Sequence, residues 1–252
     1  MELFLKRITL KLSRLLPSFL RRALRRRYYR GVVSNYREVD WEWSPFIKPL
    51  VPSGGQVIDI GANVGYLSGL FAQWVGPSGS VLSVEPIPET YDALSASMST
   101  LFPNTVVTIQ SCVSDAPGEV TMAVPEYAGG GANYYESRIV DPDSATGARH
   151  VNVPATTLDL LIRDRNLNPS FIKIDVEGHE LAVIKGGAEF FANHRPPLLI
   201  EVAGDPDEPG SAAALLFAML KGWGYDPHLI RKGTLEVRRV GDQSVDYLFL
   251  GN

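Results

Sequence analysis

Residues 56–76 read QVIDIGANVGYLSGLFAQWVG. Gln56–Ile60 is a short apolar run with β-branched residues, the pattern of a buried strand. Asp59 then leads into a turn carrying Gly61 and Gly65, where the backbone is free to turn at positive φ or to approach a ligand closely. From Tyr66 an apolar-periodic helix runs until Gly76-Pro77 stops it. Strand, glycine turn and helix make the opening βα unit of a parallel sheet, and such sheets bind ligands beyond the carboxyl ends of their strands.

The same alternation continues outward. SVLSVEP (80–86) is a second strand, IPETYDALSASMSTLFP a helix closed by Pro103, and TVVTIQSCVS (105–114) a third strand. FIKID (171–175) and PPLLIEVAG (196–204) are further strands. The helix after FIKID carries Leu181, Ile184, Ala188 and Phe191 at helical spacing, and SAAALLFAMLKGWGY supplies another helix. HLIRKGTLEVRRV and SVDYLFLGN close the chain with two or three strands. Strands alternating with helices predict a doubly wound, mostly parallel α/β sheet covered on both faces, with an antiparallel edge from the β-rich tail. Residues 118–156 interrupt the rhythm with two strand-like runs around a Gly-rich loop, the pattern of a substrate-loop insertion. A hydroxyl-capped helix starts near Thr157.

Composition narrows the function. The chain has 252 residues, is 45% hydrophobic and carries one cysteine, Cys112. It is long enough for one large domain, and a single cysteine excludes a disulfide framework or a cysteine-built zinc site. Residues 1–30 hold ten Lys/Arg and one Glu, a net charge of +9, whereas the remainder is at −13. The body therefore repels nucleic acid. Residues 1–34 read as a basic amphipathic N-terminal extension, kinked at Pro17, and residues 35–252 as the domain proper. The extension either packs on the body or lays its basic face on an anionic membrane surface. No run reaches the roughly 20 apolar residues of a membrane span. Charges break any signal-peptide core, so a cytoplasmic location is expected, peripheral on the inner membrane surface if the extension binds lipid.

The glycine turn is not a dinucleotide fingerprint. Ala62-Asn63 stands where a second glycine would admit a pyrophosphate, and no Gly-Lys-Ser/Thr follows, which argues against both a nicotinamide oxidoreductase and a P-loop. Glu85, at the end of the second strand, is placed to take both hydroxyls of a ribose. An acidic residue entering the turn suits a ligand with amine or hydroxyl donors. Together these point to a nucleoside with an amino-acid tail, and S-adenosylmethionine is such a molecule.

Asp175-Val-Glu177-Gly-His179-Glu180 places ionisable groups at the tip of the FIKID strand. Asp175 and Glu177, two apart, share a face if the segment is extended. One would bind the cofactor amine or the acceptor and the other act as base. His179 is an alternative base because its pKa lies near neutrality, and Glu201 at the tip of the next strand faces the same crevice. Each also has a plain structural role: Asp175 as a helix cap, Glu177 and Glu180 as carboxylates at a helix N-terminus, His179 as a hydrogen-bonding loop residue. A divalent ion on Asp175, Glu177 and His179 is a further option that the short cluster supports poorly. Tyr127, Tyr134 and Tyr135 line either an acceptor pocket or a solvent-facing loop.

In their order, VIDIGANVGYLS, VLSVEPIPETYDAL, SCVSDAPGEVTM, ATTLDLL, FIKIDVEGHELAVIKGG and PPLLIEV resemble the FkbM-type S-adenosylmethionine-dependent methyltransferases over about residues 55–203. The IDVEGHE block followed by PPLLIE is the specific part; the glycine turn is shared widely. The resemblance implies a seven-stranded, Rossmann-like class I methyltransferase fold and methylation of a hydroxyl on a glycan, lipid-linked sugar or small natural product. It implies that Asp59, Gly61, Ala62, Asn63 and Gly65 line the methionine and ribose region, with Asp175 beside them. Glu85 would hold the ribose, and Ser111, Cys112 and Val113 would lie near the adenine. The alternative is a methyltransferase-like module that binds a nucleoside or a partner without turnover.

Overall fold

The structure, a computed structural model, describes residues 16–127, 132–141 and 147–252. The first half of the basic extension and the glycines Gly129–Gly131 lie outside the described residues. The chain builds strands β1 (Gln56–Ile60), β2 (Ser80–Val84), β3 (Val106–Ile109), β4 (Cys112–Val113), β5 (Gly118–Val124), β6 (Arg138–Ile139), β7 (Arg149–Thr156), β8 (Phe171–Ile174), β9 (Leu198–Glu201), β10 (Tyr225–Arg231), β11 (Thr234–Val237) and β12 (Asp246–Gly251). The main sheet has the order β11-β10-β12-β9-β8-β1-β2-β3. Its pairs β1–β2, β2–β3, β1–β8 and β8–β9 are parallel, whereas β12 runs antiparallel to β9 and β10.

The expected α/β class, mostly parallel sheet and antiparallel edge are all present. The sheet has eight strands rather than seven, because HLIRKGTLEV folds as a β10–β11 hairpin. Its tip residues, Lys232 and Gly233, are both left-handed (φ 51° and 78°), the turn conformation that matches strand twist. Residues 105–114 form two strands, not one. Beyond Ile109 the chain leaves the main sheet, and β4 pairs with β7 in a second sheet of order β4-β7-β5-β6. The 118–156 segment supplies the rest of that sheet.

Helices cover both faces. α1 (Ser18–Asn35), α2 (Ser44–Ile47), α3 (Tyr66–Val75) and α4 (Pro88–Leu101) lie on one side; α5 (Leu158–Arg165), α6 (Glu180–Gly186), α7 (Ala188–Asn193) and α8 (Ala212–Gly222) lie on the other. Thr157 caps α5 by accepting from Leu160 N, as the hydroxyl pattern predicts. The expected single helix after FIKID is two, α6 and α7, broken at Gly187, where a Cβ would sit 2.7 Å from Phe191 and 2.8 Å from Leu158.

α1 turns two of its arginines inward. Arg22 and Arg26 both bind the buried Asp92 of α4, with Nε distances of 2.7 and 2.9 Å. Burial alone would raise the Asp92 pKa, but the two guanidinium groups outweigh it and hold it down at about 2. Phe19, Leu20, Leu24 and Tyr28 remain exposed along the helix. No described helix is long and apolar enough to cross a membrane.

Strand periodicity explains how polar groups reach the sheet centre. On β1, Ile58 and Ile60 face the α5–α8 core, while Val57 and Asp59 point to the α3 side. Register pairs Asp59 with Ser83 on β2 and with Lys173 on β8. Ser83, Asp59 and Lys173 therefore form a buried polar row across three strands. Ser83 Oγ donates to Ser68 Oγ (2.8 Å), and Ser68 Oγ donates to Asp59 Oδ2 (2.6 Å). Lys173 Nζ lies 3.7 Å from Asp59 Oδ1, and donates to Gly61 O (3.2 Å) and Asp175 Oδ2 (2.9 Å).

Two substitutions test this arrangement. Gly61 sits at φ 76°, and a Cβ there would fall 1.7 Å from the Asp175 carbonyl. Backbone on both sides leaves no room to relax, so Gly61→Ala is expected to cost more than about 3 kcal/mol in urea unfolding; near-native stability would contradict the close approach. Lys173→Met strands the buried Asp59 and is expected to cost about 3–5 kcal/mol, most of it regained in the Asp59→Asn/Lys173→Met double variant. Equal losses in the single and double variants would show that the cation does not compensate Asp59.

Candidate active site

The strand order reverses between β1 and β8, so a crevice opens beyond their carboxyl ends. A cavity of about 260 Å³ lies there. One wall comes from the turn after β1 (Gly61, Asn63) and the end of β2 (Glu85, Pro86, Ile87). The second comes from Ser111, Cys112 and Val113, the third from Asp175, Val176, Glu177 and His179 after β8, with Glu201 at the end of β9. Met122, Tyr134, Ser137 and Ile139 of the insertion close the fourth side.

Glu85 is nearly inaccessible and locked in place. Its Oε2 accepts from Asn63 N and its Oε1 from Ile87 N, each at 3.0 Å. Asn63 reaches this position at φ 50°, a conformation asparagine tolerates better than most residues. Burial pushes the Glu85 carboxyl up to about 7, against the pull of the two amides. Each oxygen keeps lone-pair capacity for a further donor. Beside it, Ile87, Cys112 and Met122 pack into one apolar cluster. Burial, with Glu85 nearby, drives the Cys112 thiol up to about 12, so Cys112 is an apolar wall and not a nucleophile.

The segment after β8 is a tight turn. Asp175 N still donates to Ile60 O (3.1 Å), but Glu177 and Gly178 are both left-handed (φ 54° and 95°). Asp175 and Glu177 thus do not sit on an extended strand, as the two-residue spacing predicts. Their carboxylates nevertheless converge with Glu201, all three within 4.8 Å of one another. A left-handed glutamate is strained, and strain of this kind collects at functional sites. Burial raises the Glu201 carboxyl to about 7, with help from Asp175 and from Asp246, its register partner on β12. Glu177 is also raised, by burial first and by Asp175 next.

His179 stands at the start of α6 without a side-chain capping bond and lines the cavity, outside the three-carboxylate cluster. Its Nε2 lies 2.9 Å from Ser114 Oγ, which donates its one proton to Asp115 Oδ1 (3.1 Å). With that hydroxyl donating to Asp115, Nε2 is the donor and Nδ1 is left as the acceptor nitrogen. Burial lowers the His179 pKa, so the ring is neutral near pH 7. Glu180 is buried and accepts from Gly178 N (2.7 Å), a structural role at the helix start.

Three residues expected at the cofactor do not line the cavity. Asp59 is fully buried beneath it, where burial raises its pKa against the pull of Lys173 and Ser68. Ala62 faces the core. Gly65 precedes α3 at φ 97°, its Cα against Met98 and Leu94. Lys173, absent from the expected set, is the residue that ties Asp59 to Asp175. Burial works against its charge, but Asp175 and Asp59 prevail and raise its pKa. The signal for it was a lysine inside an otherwise apolar strand, which needs a buried counter-ion.

Comparison with known proteins follows the same lines. Residues 59–227 match the family model described as the methyltransferase FkbM domain. A hexuronic acid methyltransferase of Haloferax volcanii is 28% identical over 51% of this chain, and the match spans about half (48%) of that relative. The methyltransferase sdnD of Sordaria araneosa is 28% identical over 70% of this chain and 75% of its own length. The crystal structure of a methyltransferase FkbM from Methylobacillus flagellatus KT aligns with 78% of this chain and 43% of its own, at 17% identity and a TM-score of 0.47. With the family model covering two-thirds of its length, the chain belongs to the FkbM methyltransferase domain family.

Proposed function

We propose that the protein is an S-adenosylmethionine-dependent O-methyltransferase whose acceptor is a hydroxyl of a sugar, glycan or hydroxylated natural product. The observation that carries this reading is Glu85: a buried carboxylate pinned by two backbone amides, beside an apolar wall, with capacity left for two hydroxyl donors. That is the chemistry of a ribose and a flat base. The acidic floor of Asp175, Glu177 and Glu201 suits cationic groups at the other end of the same ligand. The names of the Haloferax and Sordaria relatives support a methyl transferase, the first of them acting on a sugar acid.

S-adenosylmethionine supplies an electrophilic methyl group on a good leaving group. What remains for the chain is to align the acceptor, exclude water and take the hydroxyl proton. We assign the proton to His179 Nδ1, because the ring is neutral and its other nitrogen is held by Ser114. Asp175, held by Lys173, and Glu201 and Glu177 beside it orient the acceptor and the amine of the cofactor.

Two measurements check these roles. Ribose hydroxyls favour ionised Glu85, whose carboxyl stands at about 7 in the free protein, so binding S-adenosylhomocysteine should release a proton. Affinity is then full above pH 7 and falls as pH drops below it, towards tenfold per unit. Lys173, Asp175 and Cys112 also surround this group, so Glu85→Gln serves as the control that removes its share of the slope. Calorimetry showing pH-independent affinity from 8 to 5.5 would exclude the ribose role. His179→Ala should lower kcat about 10²–10⁴-fold with S-adenosylhomocysteine affinity unchanged. A fully active variant would pass the base role to one of the carboxylates.

A further inference from the structure

The acceptor end of the crevice has an unusual charge inventory. Asp175, Glu177 and Glu201 converge there, and Asp246 stands behind Glu201 in strand register. Among the described residues lining the cavity there is no lysine or arginine. The nearby cation, Lys173, is already committed to Asp59, Asp175 and the Gly61 carbonyl. His179 is held neutral by its burial. An incoming carboxylate would meet several like charges with no protein cation free to pair with it.

A second observation lies on the opposite wall. Ser137 lines the cavity, is 5% exposed, and its Oγ has no hydrogen-bond partner among the described residues. A buried hydroxyl without a partner is costly unless a ligand satisfies it. It comes from the insertion, between Tyr134 and Ile139, which also line the cavity, and Glu136 beside it is close enough to influence Glu177. The insertion therefore comes close to the acidic turn and adds an unpaired hydroxyl to the lining of the same cavity.

We propose that the acceptor subsite, formed by Glu177, Glu201 and Ser137, takes an uncharged polyol of the sugar type and rejects acceptors that carry a carboxylate. The carboxylates accept from neighbouring sugar hydroxyls, and Ser137 exchanges a hydrogen bond with a third. Uronic acids fall on the excluded side, whether the acid group would receive the methyl or merely stand beside the reacting hydroxyl. This rests on the methyltransferase reading for the position of the acceptor and narrows its class.

The test uses the full-length protein saturated with S-adenosylhomocysteine and two probes matched except for charge, nitrophenyl β-glucoside and nitrophenyl β-glucuronide. Binding is followed by calorimetry at neutral pH. The glucoside should bind at least about tenfold more tightly, a gap of about 1.4 kcal/mol. Glu177→Lys, at an exposed position, should narrow or reverse that gap. Ser137→Ala should weaken the glucoside several-fold and leave S-adenosylhomocysteine affinity unchanged. Equal or tighter binding of the glucuronide, or no binding of the glucoside to the S-adenosylhomocysteine complex, would overturn the acceptor assignment alone. Failure of S-adenosylhomocysteine itself to bind would overturn the cofactor reading, and the acceptor assignment with it.

Discussion

A single buried ammonium organises this protein. Lys173 sits in the middle of the main sheet, where an unpaired charge would be prohibitive, and three groups answer it: Asp59 from the neighbouring strand, the Gly61 carbonyl from the glycine turn, and Asp175 from its own strand end. These are the two loops that bound the crevice at the switch point of the sheet. A cation needed by the fold thereby sets the relative position of the two halves of the site. Breaking a buried pair from one side costs far more than removing it whole, so neither partner is free to vary alone.

Close backbone approach does the rest. Gly61 lies against the Asp175 carbonyl, and Gly186 lies against the Ser114 carbonyl, where a Cβ would fall at 2.0 Å. The first contact joins β1 to the acidic turn. The second fastens α6 to the end of β4, and so brings Ser114 to the imidazole of His179. The left-handed residues Asn63 and Glu177 both lie on the crevice, one presenting its amide to Glu85 and the other its carboxylate to the cavity. The insertion wall of Met122, Tyr134, Ser137 and Ile139 then closes the cavity against the acidic floor.

How much of this was legible in the sequence follows from the range of each interaction. QVIDI, SVLSV, FIKI and LLIE are buried strands whose apolar runs announce themselves locally, and Glu85 follows from its distance to the glycine turn. Asp59 did not belong with the lining residues, because strand alternation turns its side chain beneath the cavity. Only the pairing register, which puts Lys173 beside it, reveals its task. The convergence of Glu201 with Asp175 and Glu177 depends on β9 pairing with β8 and on a left-handed turn that spacing does not encode. The split of residues 105–114 between two sheets is likewise decided by β7, some forty residues on. The inward arginines of α1 look like any basic face until Asp92 is placed beneath them.

The crowding of carboxyls has a thermodynamic consequence that links fold to ligand. Glu85 and Glu201 stand at about 7 and Asp246 at about 6, all above the ordinary carboxylate range because of burial. The folded protein therefore holds protons that the unfolded chain releases near pH 4–5, and these groups lose stability as pH rises from there through 7. At neutral pH these carboxyls are electrostatically strained, and the amides of Ile87 and Asn63 offset the strain at Glu85 as Lys173 does at Glu201 and Asp246. On the proposed function, a ligand that brings hydroxyl donors to Glu85 and positive charge to the acidic floor would relieve the same strain. Ligand recognition and fold stability would then, on the same proposal, be coupled through one set of ionisable groups.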